Sequence, residues 1–146
     1  MQPYSRQASV RWFGKAQRAK AAAYKPSTGL KMTPLDGDIK RRSVNPPELI
    51  AAAHAGSFAL TLANVLAEAG YHPRQIDTTA TVMMERAAKG WTLTQIHLDV
   101  TARVPKAAEC DFVDAALQAK ADCPISRALN ANISMRAKLT RNAGET

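Results

Sequence analysis

One segment constrains this chain more than any other: Asn45 to Gly70, NPPELIAAAHAGSFALTLANVLAEAG. Asn45 reads as an N-cap, Pro46 as the first helical residue, and Glu48, three positions after the cap, as the reciprocal capping-box partner. Gly70 is a natural left-handed C-cap, and Pro73 beyond it prevents continuation. No charged side chain lies between Glu48 and Glu68. The spacing therefore predicts a helix over 45–70 with no side that favours water, which places it in the centre of a core or in a membrane. The uncharged run from Leu49 to Ala67 is 19 residues, the length of a membrane span. Its many alanines, Gly56, Ser57, Thr61, His54 and Asn64, and the lack of a flanking aromatic belt, point instead to a core helix that other backbones approach closely.

The 146 residues, 46% hydrophobic and 22% charged, fit one domain spanning 1–146 with a real core. The formal charge of +8 is unevenly placed: residues 1–45 carry ten Lys/Arg against two Asp, and residues 46–146 carry ten against ten. A nucleic-acid patch would concentrate charge in this way. Here the basic residues are scattered, and Trp12, Phe13 and Tyr24 form no RNA-reading motif, so a solvated face is expected. The opening MQPYSRQASV has no apolar stretch of a secretory signal. Cys110 and Cys123 make no secreted disulfide framework, and on one helix they would lie ~20 Å apart. A reducing cytoplasm is the expected location.

In order, the chain reads as N-terminal strands and a basic connector over 1–44, the central helix over 45–70 and a β-hairpin over 75–105. A second helical region over 109–129 and a last strand over 130–141 follow. Ser5–Phe13, 17–24 and 28–33 read as short strands, and Pro34-Leu35-Asp36-Gly37-Asp38 as a turn. Within the hairpin, Ile76–Glu85 is β-branched, and Trp91–Val104 puts Ile96, Leu98, Val100, Ala102 and Val104 on one face at period two. His97, Asp99, Thr101 and Arg103 take the opposite face. Glu109–Ala121 is amphipathic through Phe112, Ala116 and Ala119, with Val113 and Leu117 alongside, and 132–140 alternates again. The fold class is α+β.

Among chemistry-bearing residues, His54 and Ser57 stand at i, i+3 on the central helix, where their side chains can meet. No third orienting residue accompanies them, and A-G-S-F-A is not a nucleophile elbow. A buried helical serine is expected to bond a carbonyl one turn back. His72 and His97 show no metal spacing with the cysteines. Cys123 precedes Pro124 and so caps a short helix through Leu129, where the dipole and free amides favour thiolate. Cys110, between Glu109 and Asp111, faces charges that oppose ionisation.

NPPELIAAAHAGSFALTLANVLAEAG, then IDTTATV, then AKADCPISRALNANI, resembles the OsmC branch of the OsmC/organic-hydroperoxide-resistance family from Asn45 to about Leu139, with a looser match at W-F-G (12–14) and at Thr28-Gly29-Leu30. The resemblance implies an intertwined homodimer. Antiparallel sheets from both subunits would wrap two long buried central helices. It implies a peroxiredoxin-like thiol peroxidase acting on organic hydroperoxides at an interfacial pocket, with no bound cofactor and an external dithiol as reductant.

In the family mechanism a peroxidatic cysteine on the central helix, in A-A-C-F, attacks the O–O bond and becomes a sulfenic acid. A resolving cysteine in C-P-[VI]-S then closes a disulfide that a dithiol reduces. By resemblance Cys123 fills the resolving position, in C-P-I-S. Ser57, in A-G-S-F, stands where the peroxidatic sulfur belongs, and a hydroxyl is neither ionised near neutral pH nor able to form that disulfide. The family glutamate directly follows N-P, where this chain has Pro47. Glu48 is offset by one and is the candidate. Arg41, or alternatively Arg42, is the candidate for the arginine that steadies the thiolate and orients the peroxide. Ser57 fits two readings: an exchange in an otherwise competent peroxidase, or a catalytically silent member that keeps the pocket for a lipid-like apolar ligand.

Overall fold

The computed structural model describes residues 4–15, 18–22, 31–32, 43–44, 46–88 and 90–140. Strand β1 (Tyr4–Lys15) leads to β2 (Arg18–Ala22), and a two-residue pair, β3 (Lys31–Met32) and β4 (Ser43–Val44), precedes helix α1 (Pro46–Glu68). The hairpin β5 (Gln75–Ala87) and β6 (Gly90–Arg103) follows, then α2 (Glu109–Asp122), α3 (Pro124–Ala128) and β7 (Asn132–Leu139). Asn45 and the turn at residues 34–38 lie outside the described residues.

Five strands form one sheet in the order β2-β1-β5-β6-β7, and β3 and β4 make a separate two-stranded parallel pair. The expectation of purely antiparallel sheets needs correction: β6 and β7 pair in parallel, with Ile96 opposite Ile133 and Ala102 opposite Leu139. The cause is the connection. Helices α2 and α3 carry the chain back to the end of the sheet where β6 began, as a parallel neighbour requires.

Period-two alternation sorts the sheet into two faces. Val10, Trp12, Ile76, Ala80, Val82, Ile96, Leu98, Val100 and Ala102 are buried on one side, with α1 and α2 over them. The other side is polar. There Ser9 Oγ meets Thr79 Oγ1 at 2.7 Å, and Arg11 Nε donates to Asp77 Oδ1 at 2.8 Å, a cross-strand ion pair in solvent. On this face the basic Arg11 is solvated.

Helix α1 buries one stripe: Ala51, His54, Ala55, Phe58, Ala59, Leu62, Ala63 and Leu66, the i, i+3, i+4 pattern of a helix lying on a sheet. Within the single protomer it is not enclosed on every side. Ala53, Leu60, Asn64 and Ala67 are exposed, and Leu60 keeps 46% of its surface. These four fall at i, i+7, i+11 and i+14, a second, uncharged stripe open to solvent. By length and composition alone, α1 could cross a membrane; none of the other described helices could.

The C-terminus of α1 follows the sequence reading. Gly70 has φ +92°, its N–H donates to Ala67 O at 3.0 Å, and Tyr71 N–H reaches Leu66 O at 2.9 Å. This is a Schellman ending. A Cβ on Gly70 would meet nothing within 4 Å, so a substitution there is opposed by backbone conformation alone. Gly70→Ala is expected to cost about 1–2 kcal/mol, read as a lower urea midpoint with an unchanged slope.

Candidate functional site

Three segments bring the chemistry-bearing side chains together. The middle of α1 supplies His54 and Ser57, three residues apart on one face. Cys123 supplies the thiol: it is at once the C-cap of α2 and the N-cap of α3, extended at φ −60° and ψ 121°. Pro124 follows at the first helical position, where a missing N–H costs nothing. Because α3 starts at that cap, Ser126 lies three residues beyond Cys123, on the same side of the turn. The short helix through this region was expected from Cys-Pro, and it spans Pro124–Ala128.

Within this junction the Cys123 thiol donates to Ser57 Oγ at 3.4 Å, and His54 Nε2 and Ser126 Oγ are 2.7 Å apart. Cys123 and His54 are completely buried, while Ser57 and Ser126 are half-buried. His54 Nδ1 is buried without a hydrogen-bond partner. Burial alone pushes the thiol up. Hydrogen bonds from the His54 imidazole, the Ser57 hydroxyl, and the backbone and hydroxyl of Ser126 outweigh it and bring the group down to about 6. When Cys123 ionises, the Ser57 hydroxyl becomes the donor.

This differs from the sequence reading in three respects. The lowered thiol comes mainly from side-chain donors rather than from the helix end alone. Ser57 does not bond a carbonyl one turn back; it is Thr61 Oγ1 that donates to Ser57 O at 2.8 Å, which leaves the Ser57 hydroxyl free for the thiol. Nor does His54 pair with Ser57, since its bond goes to Ser126, 72 residues away. Ser126 was missed as a site residue. The signal was present in C-P-I-S, where a serine at the third position of a helix capped by cysteine must lie beside that cysteine.

The other candidates are elsewhere. Glu48 sits half-buried in the first turn of α1 with Oε2 lacking a partner. Nine residues separate it from Ser57, which on a helix means the opposite face and ~13 Å along the axis. Within a protomer it does not reach the thiol. Arg41 and Arg42 lie outside the described residues. Cys110 is exposed in the first turn of α2, at the far end of that helix from Cys123. Among the described residues, no group of three or more His, Cys, Asp or Glu is placed to hold a metal ion.

A direct consequence concerns pH. In a Cys110→Ser chain, iodoacetamide alkylation is expected to pass half-maximum near the Cys123 value of about 6 and to level off above it. An ordinary cysteine does so near about 8.5. The sign for stability is the same. Between the folded value and the unfolded one the unfolded chain binds more protons, so ionisation of Cys123 stabilises the fold most above about 9. That contribution is lost as pH falls through about 6.

Residues 37–138 match the family model described as OsmC-like protein. Over 127 residues, 85% of this chain and 89% of the relative, the sequence is 35% identical to the peroxiredoxin OsmC of Escherichia coli (strain K12). Among solved structures, an OsmC-like protein from Mycoplasma pneumoniae superposes with a TM-score of 0.64 at 12% identity, covering 93% of this chain and 98% of that one. An organic hydroperoxide resistance protein from Elizabethkingia anophelis gives 0.54 at 24% identity, over 68% and 70%. A family model over most of the length and a relative at this identity, on top of the capped α1, the Cys-Pro junction and the shared fold, lead to one assignment: the chain belongs to the OsmC family.

Proposed function

We propose that this chain is a thiol-dependent reductase scaffold for organic hydroperoxides, working as a homodimer in the cytoplasm with an external dithiol as reductant and no bound cofactor. The observation that carries the reading is the placement of a buried Cys123 thiol 3.4 Å from Ser57. Ser57 stands four residues after exposed Ala53 and three before exposed Leu60, on the margin of the open stripe of α1. A second copy laid on that stripe covers the margin and closes an apolar pocket over the two side chains. The substrate class comes from the relatives, one of which is named for hydroperoxide resistance.

Ser57 limits the chemistry. A hydroxyl there cannot attack an O–O bond as a thiolate does, so the two-thiol cycle is closed to this chain as it stands. The test is dithiothreitol-dependent consumption of cumene hydroperoxide by the chain and by its Ser57→Cys variant. The variant is expected to turn over, and to stop when Cys123 is also replaced. The Ser57 hydroxyl favours a competing reading, in which the pocket binds an apolar ligand without turnover. That reading gains if Ser57→Cys adds nothing.

A further inference from the structure

We propose that Cys123 itself is the peroxide-reactive thiol of this chain: with Ser57 as a hydroxyl donor in place of a second sulfur, the His54–Ser57–Cys123–Ser126 junction is a one-cysteine centre. Its oxidised sulfur is reduced in place by low-molecular-weight thiols. The inference rests on the hydroperoxide reading above and deepens it by naming the nucleophile and the class of co-substrate.

Four groups converge on one sulfur. Ser57 Oγ lies 3.4 Å from Sγ, Ser126 Oγ holds His54 Nε2 at 2.7 Å, and the imidazole together with the hydroxyl and backbone of Ser126 favours the ionised sulfur. His54 is fully buried, and its Nδ1 has no hydrogen-bond partner. A sulfur that strikes a peroxide needs stabilised thiolate, and with Ser57 in place of a second sulfur Cys123 is the one thiol at this junction. The cover over it is thin. Helix α3 is five residues long and none of them is buried, so the turn above the sulfur can open at small cost.

The chemistry balances with two named co-reactants. Sγ of the thiolate attacks the terminal oxygen of an organic hydroperoxide, the S–O bond forms as the O–O bond breaks, and the alkoxide takes a proton from water to leave as an alcohol. Cys123, now a sulfenic acid, condenses with one thiol to a mixed disulfide and releases water. A second thiol attacks that mixed disulfide on its non-protein sulfur, giving a free disulfide and restoring Cys123. The net reaction takes one hydroperoxide and two thiols to an alcohol, a disulfide and water. Ser57 is a positioning residue here, a donor to the thiolate.

The test uses the full chain carrying Cys110→Ser, so that Cys123 is the sole thiol. With cumene hydroperoxide and dimedone, peptide mass spectrometry is expected to find one dimedone adduct, on the peptide containing Cys123. With glutathione in place of dimedone, one glutathione per chain is expected, removed by excess dithiothreitol. Ser57→Ala is expected to slow adduct formation at least about threefold at pH 6.5, with the rates converging by about pH 9.5, a pH-selective effect that a merely structural role would not give. An unmodified Cys123, under conditions that fully oxidise N-acetylcysteine, overturns the proposal. Its failure is separable from that of the parent reading. If Ser57→Cys turns over while Cys123 alone stays unmodified, the one-cysteine centre is wrong and the scaffold reading stands. If Ser57→Cys is also inert, both fall.

Discussion

Ser57→Cys is expected to raise dithiol-dependent consumption of cumene hydroperoxide by at least about 100-fold over the unsubstituted chain. Deleting a nucleophile that acts within a catalytic unit costs orders of magnitude in rate, and supplying one recovers a comparable factor. The geometry needs little adjustment. The hydroxyl oxygen is already 3.4 Å from Cys123 Sγ, so a sulfur in its place stands within a small rotation of bonding distance. Donor and acceptor sit on elements of unequal rigidity: Ser57 is held in the middle of a 23-residue helix, whereas Cys123 caps a five-residue one that can follow it. Cys123 also suits the reductive half of the cycle, because a thiol that ionises near 6 is a good leaving group when a dithiol attacks the disulfide. The gain should vanish on adding Cys123→Ser if the disulfide is the intermediate. Intact-mass measurement after one equivalent of peroxide should then show a sulfenic acid in the double variant, and an internal disulfide in the single one.

Leu60→Lys is expected to convert a dimer into monomers. Leu60 is a large aliphatic side chain left 46% exposed on a helix that carries no charge between Glu48 and Glu68. A two-fold axis through the open stripe would place it near its own copy, so one substitution introduces two like charges into an apolar contact. A central interface residue typically contributes about 2 kcal/mol or more, which corresponds to roughly a 30-fold weaker dissociation constant or worse. Sedimentation velocity over a concentration series reads this directly. Leu117, 53% exposed on the outer side of α2, is the control: Leu117→Lys is expected to leave the dimer intact. Should Leu60→Lys sediment as the parent does, the stripe is not the contact.

Much of the fold was legible because its signals are local. Gly70 and Pro73 specified where α1 stops, and the alternation from Ile96 to Val104 specified which face of β6 is buried; both depend on neighbours within one or two turns. The parallel pairing of β7 with β6 was not legible. A period-two pattern fixes which side of a strand faces the core but says nothing about which strand lies beside it or in which direction. Helix α1 was legible as a helix, whereas the absence of charge predicts burial without saying what supplies the cover. At the site, Ser57 and Cys123 were found through their motifs, whereas the His54–Ser126 contact joins positions 72 residues apart and leaves no periodic trace. Leu117 illustrates a smaller error: one residue past Ala116, it is rotated by about 100° away from the buried line and into solvent.

The polar outer face of the sheet has a consequence for how the molecule can grow. With Ser9, Arg11, Asp77, Thr79, His97 and Asp99 facing water and Phe13 an exposed exception at one end, that side offers little hydrophobic reward to a neighbour, and the open stripe of α1 is on the other side. A contact in which both copies use the same stripe is its own complement and is used up when it forms. In the proposed homodimer, association along that face would stop at two, so an excess of chain would raise the number of dimers and not their size.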